Sequence, residues 1–213
     1  MQFTIAVAMA ATMLRNGDTA AAIATLTAWD CYLRVSELCN MKVKHILTLH
    51  DTRNTMTTAA NTLWRTGPRT IIAMPDTKSA SPQYVSIDNQ HIDALLLAYI
   101  QRHNKQPDDY LFPYTTSTYT KLFHEVLNLL QMHHIPFTPH SLRHGGASEH
   151  FVQKGESALQ QIQFRGRWVS TSSLRAYIQA APSININHHI PQNVSDIGNT
   201  YKDQLLSAFL PYV

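Results

Sequence analysis

Residue types suited to phosphoryl transfer crowd into one C-terminal stretch. The chain reads Thr138-Pro139-His140-Ser141-Leu142-Arg143 and then, after a short helical stretch, Gly166-Arg167-Trp168, with Tyr177 nine residues beyond the tryptophan. A phosphoryl-transfer transition state spreads negative charge over the non-bridging oxygens, so it is stabilised by several cationic or N–H donors fixed around one point. His140, Arg143 and the indole of Trp168 supply such donors, joined by Arg34 in the upstream run Cys31-Tyr32-Leu33-Arg34-Val35-Ser36-Glu37-Leu38. The phenol of Tyr177 adds a nucleophile that can store the bond energy in a covalent intermediate. Such a set requires no metal and no cofactor.

The elements that must hold these residues are legible in outline. Thr138 suits an N-cap and Pro139 the first helical position, where its missing N–H costs nothing, so a helix is expected from there to about Lys154. His140 and Arg143 then lie one turn apart on one face, near a helix N-terminus that itself favours an anion. Two helices are expected over 2–15 and 18–32, separated by Asn16-Gly17-Asp18 as a stop and a new N-cap. Strand candidates follow at 42–50, 69–75 and 83–87, forming a small antiparallel sheet, with 51–62 read as a loop. Ile92, Leu95, Leu96, Tyr99 and Ile100 recur at helical spacing, another helix is expected near 116–132, and two short helices follow Gly155. Beyond Pro182 the chain is Asn-rich and reads as a loop until Tyr201, where Leu205, Leu206, Phe209 and Leu210 mark a final helix whose apolar stripe is too small to stand alone.

Composition sets wider bounds. With 213 residues, 44% hydrophobic and 15% charged, the chain can bury a substantial core in one or two domains. A formal charge of +3 permits a nucleic-acid partner without demanding one. Cys31 and Cys39 are too few for a disulfide framework and are expected in core positions, in a reducing compartment. The apolar first fourteen residues lack a basic leader and fall short of a membrane span, so they read as an amphipathic or buried helix, and no membrane partner is expected.

The motifs together resemble a known family. His140-Ser141-Leu142-Arg143 is similar to the His-x-x-Arg box of tyrosine recombinases, the phage-integrase-like DNA strand-transfer enzymes. Leu33 to Leu38 resembles their first arginine box, and Gly166-Arg167-Trp168 with Tyr177 resembles their third-position donor and nucleophile, in the same order and spacing. The Gly-Arg-Trp version looks most like recombinases of crypton and DIRS-type mobile elements. This resemblance covers roughly residues 15 to 180. It implies an α+β, mostly helical catalytic domain over 1–182 with a small three-stranded antiparallel sheet, and a tail over 183–213 whose helix docks on its own domain or on a neighbouring protomer.

The resemblance also implies roles. Arg34, Arg143 and Trp168 would hold phosphate oxygens, His140 and Lys78 would manage protons, and Tyr177 would attack. Lys78 in Thr77-Lys78-Ser79 stands where the family carries a lysine on its second β-hairpin, a place that chemistry alone would give to a solvated loop lysine. Glu37 would orient Arg34, itself expected to be semi-buried among apolar neighbours. Arg165, Arg167 and Arg175 would hold DNA backbone or neutralise charge at the site, although solvated surface suits Arg175 equally. His144 could line the site, although a helix-surface position suits it better, and the cluster His133, His134, His140, His144 and His150 lacks the spacing of a zinc site, so no metal is expected. The implied partners are double-stranded DNA and further copies of the chain, since strand exchange by this chemistry needs four active sites. Family members usually carry a separate N-terminal helical domain, and only 33 residues precede Arg34. That implies a fragment of a longer protein or a single-domain enzyme with a weaker, more salt-sensitive grip. Two alternatives use the same residues differently: a non-catalytic DNA-binding module, which binds without cleaving, and a type IB topoisomerase-like enzyme, which relaxes supercoils without recombinant products.

Overall fold

A computed structural model describes residues 1–48, 70–74, 83–178 and 189–213. Helix α1 (Phe3–Arg15) is its centre, with ten of thirteen residues buried, so it is enclosed on all sides and not merely amphipathic. Its alanines let other helices approach closely. Gly17, at φ +81°, ends it, and α2 (Thr19–Asp30) begins at once, with Asp18 Oδ1 accepting from Ala21 N–H at 3.0 Å. The expected stop and N-cap are both present.

After α2 the chain turns through Tyr32, which sits in the left-handed region at φ +50°, into a short helix α3 (Val35–Cys39). Strands β1 (Ile46–Thr48), β2 (Thr70–Ala73) and β3 (Tyr84–Ser86) pair antiparallel in that order, Ile46 opposite Ile72 and Ile72 opposite Val85. The first strand is shorter than its alternation suggests. Val43–His45 instead form a 3-10 turn, because the amides of Val43 and Lys44 bond to Asp109 O and Pro107 O rather than to a strand. The loop expected at 51–62 lies outside the described residues.

Helices α4 (Gln90–Arg102) and α5 (Thr116–Leu129) lay Ile92, Leu95, Leu96, Tyr99, Tyr119, Phe123, Val126 and Leu127 into the main core. Helix α6 (His140–Lys154) follows. Pro139 already has helical angles, φ −52° and ψ −28°, and Thr138 N–H donates to Ser141 Oγ at 3.0 Å. Helices α7 (Leu159–Gly166) and α8 (Thr171–Tyr177) then build a second, smaller core from Tyr32, Ala147, Ala158, Ile162, Trp168 and Leu174, with Tyr177 packed against it.

The tail differs from its reading as a loop. Residues Gln192–Asp203 form α9, which packs along α1, and Leu205–Phe209 form α10, which packs on α4 of the same chain. Asn-rich sequence has modest helix propensity, but burial of Val194, Leu205 and Phe209 overrides it. Close approach explains Gly198: a Cβ there would lie 2.2 Å from Thr4 O. Arg102 Nη1 fastens the terminus, donating to Val213 O at 2.7 Å.

The two cores are joined by Arg165. Its side chain is 7% exposed and pairs with Asp30 Oδ2 at 3.2 Å and Asp88 Oδ2 at 2.8 Å, while Nη2 donates to Asp30 O at 2.7 Å. A guanidinium so enclosed ties α7 to the end of α2 and to the residues after β3. Removing one member of a buried pair strands the other charge, at about 3–5 kcal/mol. Arg165→Met is therefore expected to lower the free energy of unfolding by about that amount, read as a lower urea midpoint at unchanged slope.

Candidate active site

Helix α6 presents His140 and Arg143 toward α8, and the rings of His140 and Tyr177 stand 5.7 Å apart, edge to face. The Trp168 ring lies 5.4 Å from that of Tyr177 and 4.5 Å from the Arg143 guanidinium, which stacks over it. His140, Arg143, Trp168 and Tyr177, 37 residues apart at their extremes, thus form one cluster. Gly166 makes this possible: a Cβ there would meet Trp168 Cζ3 at 1.6 Å, so only glycine lets the indole fold back over the end of α7.

Arg143 is 1% exposed. Its Nη1 donates to Tyr32 O and its Nη2 to Gly166 O, which fixes the plane of the guanidinium. Burial, then the neighbouring Arg167 and Arg34, lower it to about 9, so it stays charged at neutral pH. His140 responds to the same field. Burial first, then His144, Arg143 and Arg34, bring it from 6.5 down to about 4, so at pH 7 its imidazole is neutral and able to accept a proton.

Arg34 joins the cluster from the N-cap of α3, and its charge is felt at both His140 and Arg143. Contrary to the semi-buried position expected from its apolar neighbours, its side chain is 50% exposed. The neighbours Leu33 and Leu38 turn inward while the extended backbone at Arg34 turns outward. Glu37 holds it there, with Oε1 accepting from Arg34 Nη1 at 2.7 Å and Oε2 from Arg34 N–H at 2.7 Å.

The three flanking arginines separate. Arg175 is exposed and pairs with Glu156 at 2.9 Å. Arg165 and Arg167, expected at a DNA backbone, are turned inward: Arg165 is engaged with Asp30 and Asp88, and Arg167, whose side chain is 3% exposed, donates to Glu37 Oε2 at 2.6 Å. Their charges are spent within the protein. Lys78 lies outside the described residues.

Two further residues enter, one weighed from the sequence as a lining residue and one that sequence reasoning did not single out. His144, expected on the helix surface, is half-buried and stacks on Tyr177 with ring centres 4.4 Å apart. Its Nδ1 lies 3.4 Å from Tyr177 O, and since a carbonyl only accepts, Nδ1 carries the proton in that contact. Tyr32 contributes its backbone oxygen to Arg143 and, at 3.3 Å, to Arg167. Position 144 is marked by its one-turn offset from His140, whereas nothing in the sequence marks the Tyr32 carbonyl.

Comparison with known proteins decides the family. Residues 5–183 match the phage integrase family. The chain belongs to the phage integrase family. This family comprises tyrosine recombinases. No curated protein sequence matches the chain. Among solved structures, it is similar to a XerH site-specific recombinase bound to difH substrate in a pre-cleavage complex, with TM-score 0.61 and 16% identity over 87% of this chain and 51% of that one. A XerA recombinase gives TM-score 0.60 and 19% identity over 90% of this chain and 65% of that one. A XerH post-cleavage complex gives 0.61 and 15% over 95% and 53%. At these identities the likeness is one of fold, and the chain spans 51% to 65% of the length of these recombinases. The expected fold, mostly helical with a three-stranded antiparallel sheet, is the one observed.

The depressed His140 makes a pH prediction. Because the folded protein resists protonation that the unfolded chain accepts, the unfolded state binds more protons between pH 6.5 and about 4. Stability from this group is therefore full above pH 6.5 and declines as pH falls toward 4. His140→Asn is expected to make the urea midpoint fall less steeply over that window than in wild type, with the residual slope carried by the other depressed histidines, His144 and His150.

Proposed function

We propose that this chain is the catalytic domain of a site-specific DNA recombinase acting through a 3′-phosphotyrosyl intermediate. The observation that carries the reading is the convergence of Tyr177 with neutral His140, buried Arg143 and Trp168. In this scheme Tyr177 Oη attacks a backbone phosphorus, forming an O–P bond as the bond to the 5′ oxygen breaks. The phenolic proton passes to His140, and Lys78 gives a proton to the departing 5′ oxygen. Arg34, Arg143 and the Trp168 indole hold the non-bridging oxygens, where charge accumulates in the transition state. Attack by a 5′ hydroxyl of another strand reverses the step, so exchange needs neither ATP nor a metal.

Double-stranded DNA is the proposed substrate, supported by the fold shared with XerH bound to difH. Exchange of strands between two duplexes takes four such sites, so four copies assemble on DNA. Gly166-Arg167-Trp168 favours the crypton and DIRS type of mobile-element recombinase. Arg175, exposed on the helix that carries Tyr177, is the flanking arginine best placed to reach a backbone phosphate, at the expense of its pair with Glu156.

The test is a covalent one. Incubated in EDTA with nicked suicide substrates, wild type is expected to yield a denaturant-resistant protein–DNA adduct, and Tyr177→Phe none, while both bind DNA alike. An adduct that survives in Tyr177→Phe, or none with folded wild type across a broad DNA pool, would refute the assignment.

A further inference from the structure

Arg167 occupies a place that a DNA contact does not explain. It follows α7 in the left-handed region at φ +58°, and its side chain runs inward, 3% exposed. The guanidinium meets three acceptors: Nη1 donates to Arg165 O at 3.1 Å, and Nη2 to Tyr32 O at 3.3 Å and to Glu37 Oε2 at 2.6 Å. Of these, the Glu37 carboxylate is the one that leads outward, because its other oxygen holds Arg34 Nη1 at 2.7 Å. Arg34 in turn is half exposed and carries the long, rotamer-rich stem that an unanchored surface arginine leaves mobile.

We infer that Arg167 is a positioning residue for the site: through Glu37 it fixes the guanidinium of Arg34 in the geometry that receives phosphate. Buried Arg167 supplies the rigid end of the chain, Glu37 transmits it, and exposed Arg34 is the end that meets the substrate. Charge supports the same division. Arg34, Arg143 and Arg167 surround one carboxylate, so with His140 neutral the cluster keeps two net positive charges. That excess draws in the single negative charge of a phosphodiester, and the proton His140 then takes from Tyr177 adds a third positive charge as the phenolate attacks. A lone Glu37–Arg34 pair would instead leave the whole carboxylate charge to compete with phosphate for Arg34.

The cleavage arm of the test rests on the recombinase reading; a second arm, in the free protein, does not. With suicide DNA at saturation, Arg167→Met is expected to slow adduct formation by about 10²-fold, as loss of one oriented donor does. The slope of log affinity against log salt should stay unchanged, since no phosphate contact is lost. Arg34→Ala with Arg167→Met should be no slower than Arg34→Ala alone. In 15N-arginine NMR spectra of the DNA-free full chain, the Arg34 guanidinium should rotate slowly in wild type and rapidly in Arg167→Met.

A salt slope reduced by about 0.9 would make Arg167 a phosphate contact and overturn the inference. Losses that multiply in the double variant would reduce it to general structural support, and an Arg34 signal unchanged by Arg167→Met would remove the coupling altogether. Should Arg167→Met lower the folded fraction, Glu37→Gln breaks the same chain at its middle, and Arg34 should again lose its slow rotation; retention of that slow rotation overturns the inference too. A wild type without any adduct counts against the recombinase reading alone, and the NMR comparison then decides the role of Arg167.

Discussion

One backbone oxygen governs the arrangement of this site. Tyr32 O accepts from two buried guanidiniums, those of Arg143 and Arg167. Hydrogen bonds to charged groups contribute about 1.5–3 kcal/mol each, and a buried cation without them is far costlier. The oxygen is available because Tyr32 adopts φ +50°. That conformation costs a residue with a side chain about 1–2 kcal/mol, which the two charged donors offset. The same turn sets the chain's direction on both sides: two residues back, Asp30 faces Arg165, and two residues on, Arg34 begins α3. Three inward arginines and one outward arginine are therefore placed by a single reversal between α2 and α3.

Under the proposed mechanism, burying the donors fixes them before substrate arrives. A guanidinium held by protein carbonyls does not reorient as charge develops, so its stabilisation is available in full at the transition state. Arg143 shows the arrangement most clearly, its two ends tied to Tyr32 and Gly166 and its face to the Trp168 ring. The consequence for His140 is equally physical: in a partly desolvated field of several cations the imidazolium is disfavoured, and the neutral form prevails at physiological pH. Burial pushes both groups the same way, toward the neutral form, and their ordinary values decide the outcome: Arg143 starts far enough above neutral pH to stay charged, and His140 does not.

The sequence revealed the fold where periodicity and capping are strong, as in the helices at 90–102 and 140–154 and the Asn16-Gly17-Asp18 break. It misread α9 because that helix owes its existence to α1: Val194 and Gly198 have no meaning without the surface they meet. The site was legible as a list of residue types in order, and four of them do converge. Which arginine faces outward was not legible. Arg34 has apolar neighbours and is exposed, whereas Arg165 and Arg167 lie in a run that also holds exposed Phe164 and Val169, and their side chains are buried. Local hydropathy reports the average environment of a segment, while the direction of one long side chain depends on where its carboxylate and carbonyl partners lie, and those that draw Arg165 and Arg167 inward, Asp30, Tyr32 and Glu37, are more than a hundred residues away.

Tyr177, the proposed nucleophile, stands on the least massive part of this framework. Helix α8 has seven residues, too short to be stable by itself, and it buries only Leu174. Its N-terminus is capped by Ser170 Oγ accepting from Ser173 N–H at 3.1 Å, and its C-terminal end is held where Tyr177 O lies 3.4 Å from both His144 Nδ1 and Ser148 Oγ. Those two contacts grip the backbone of the nucleophile and leave its phenol to the rings of His140, His144 and Trp168. The cations are locked into the larger body of the protein by Asp30, Glu37 and Tyr32, while the tyrosine rests on a small core with two long hydrogen bonds. Under the proposed mechanism, a site built in this way keeps its arginines rigid and confines adjustment to the one helix whose tyrosine would travel to phosphorus and, after strand exchange, back.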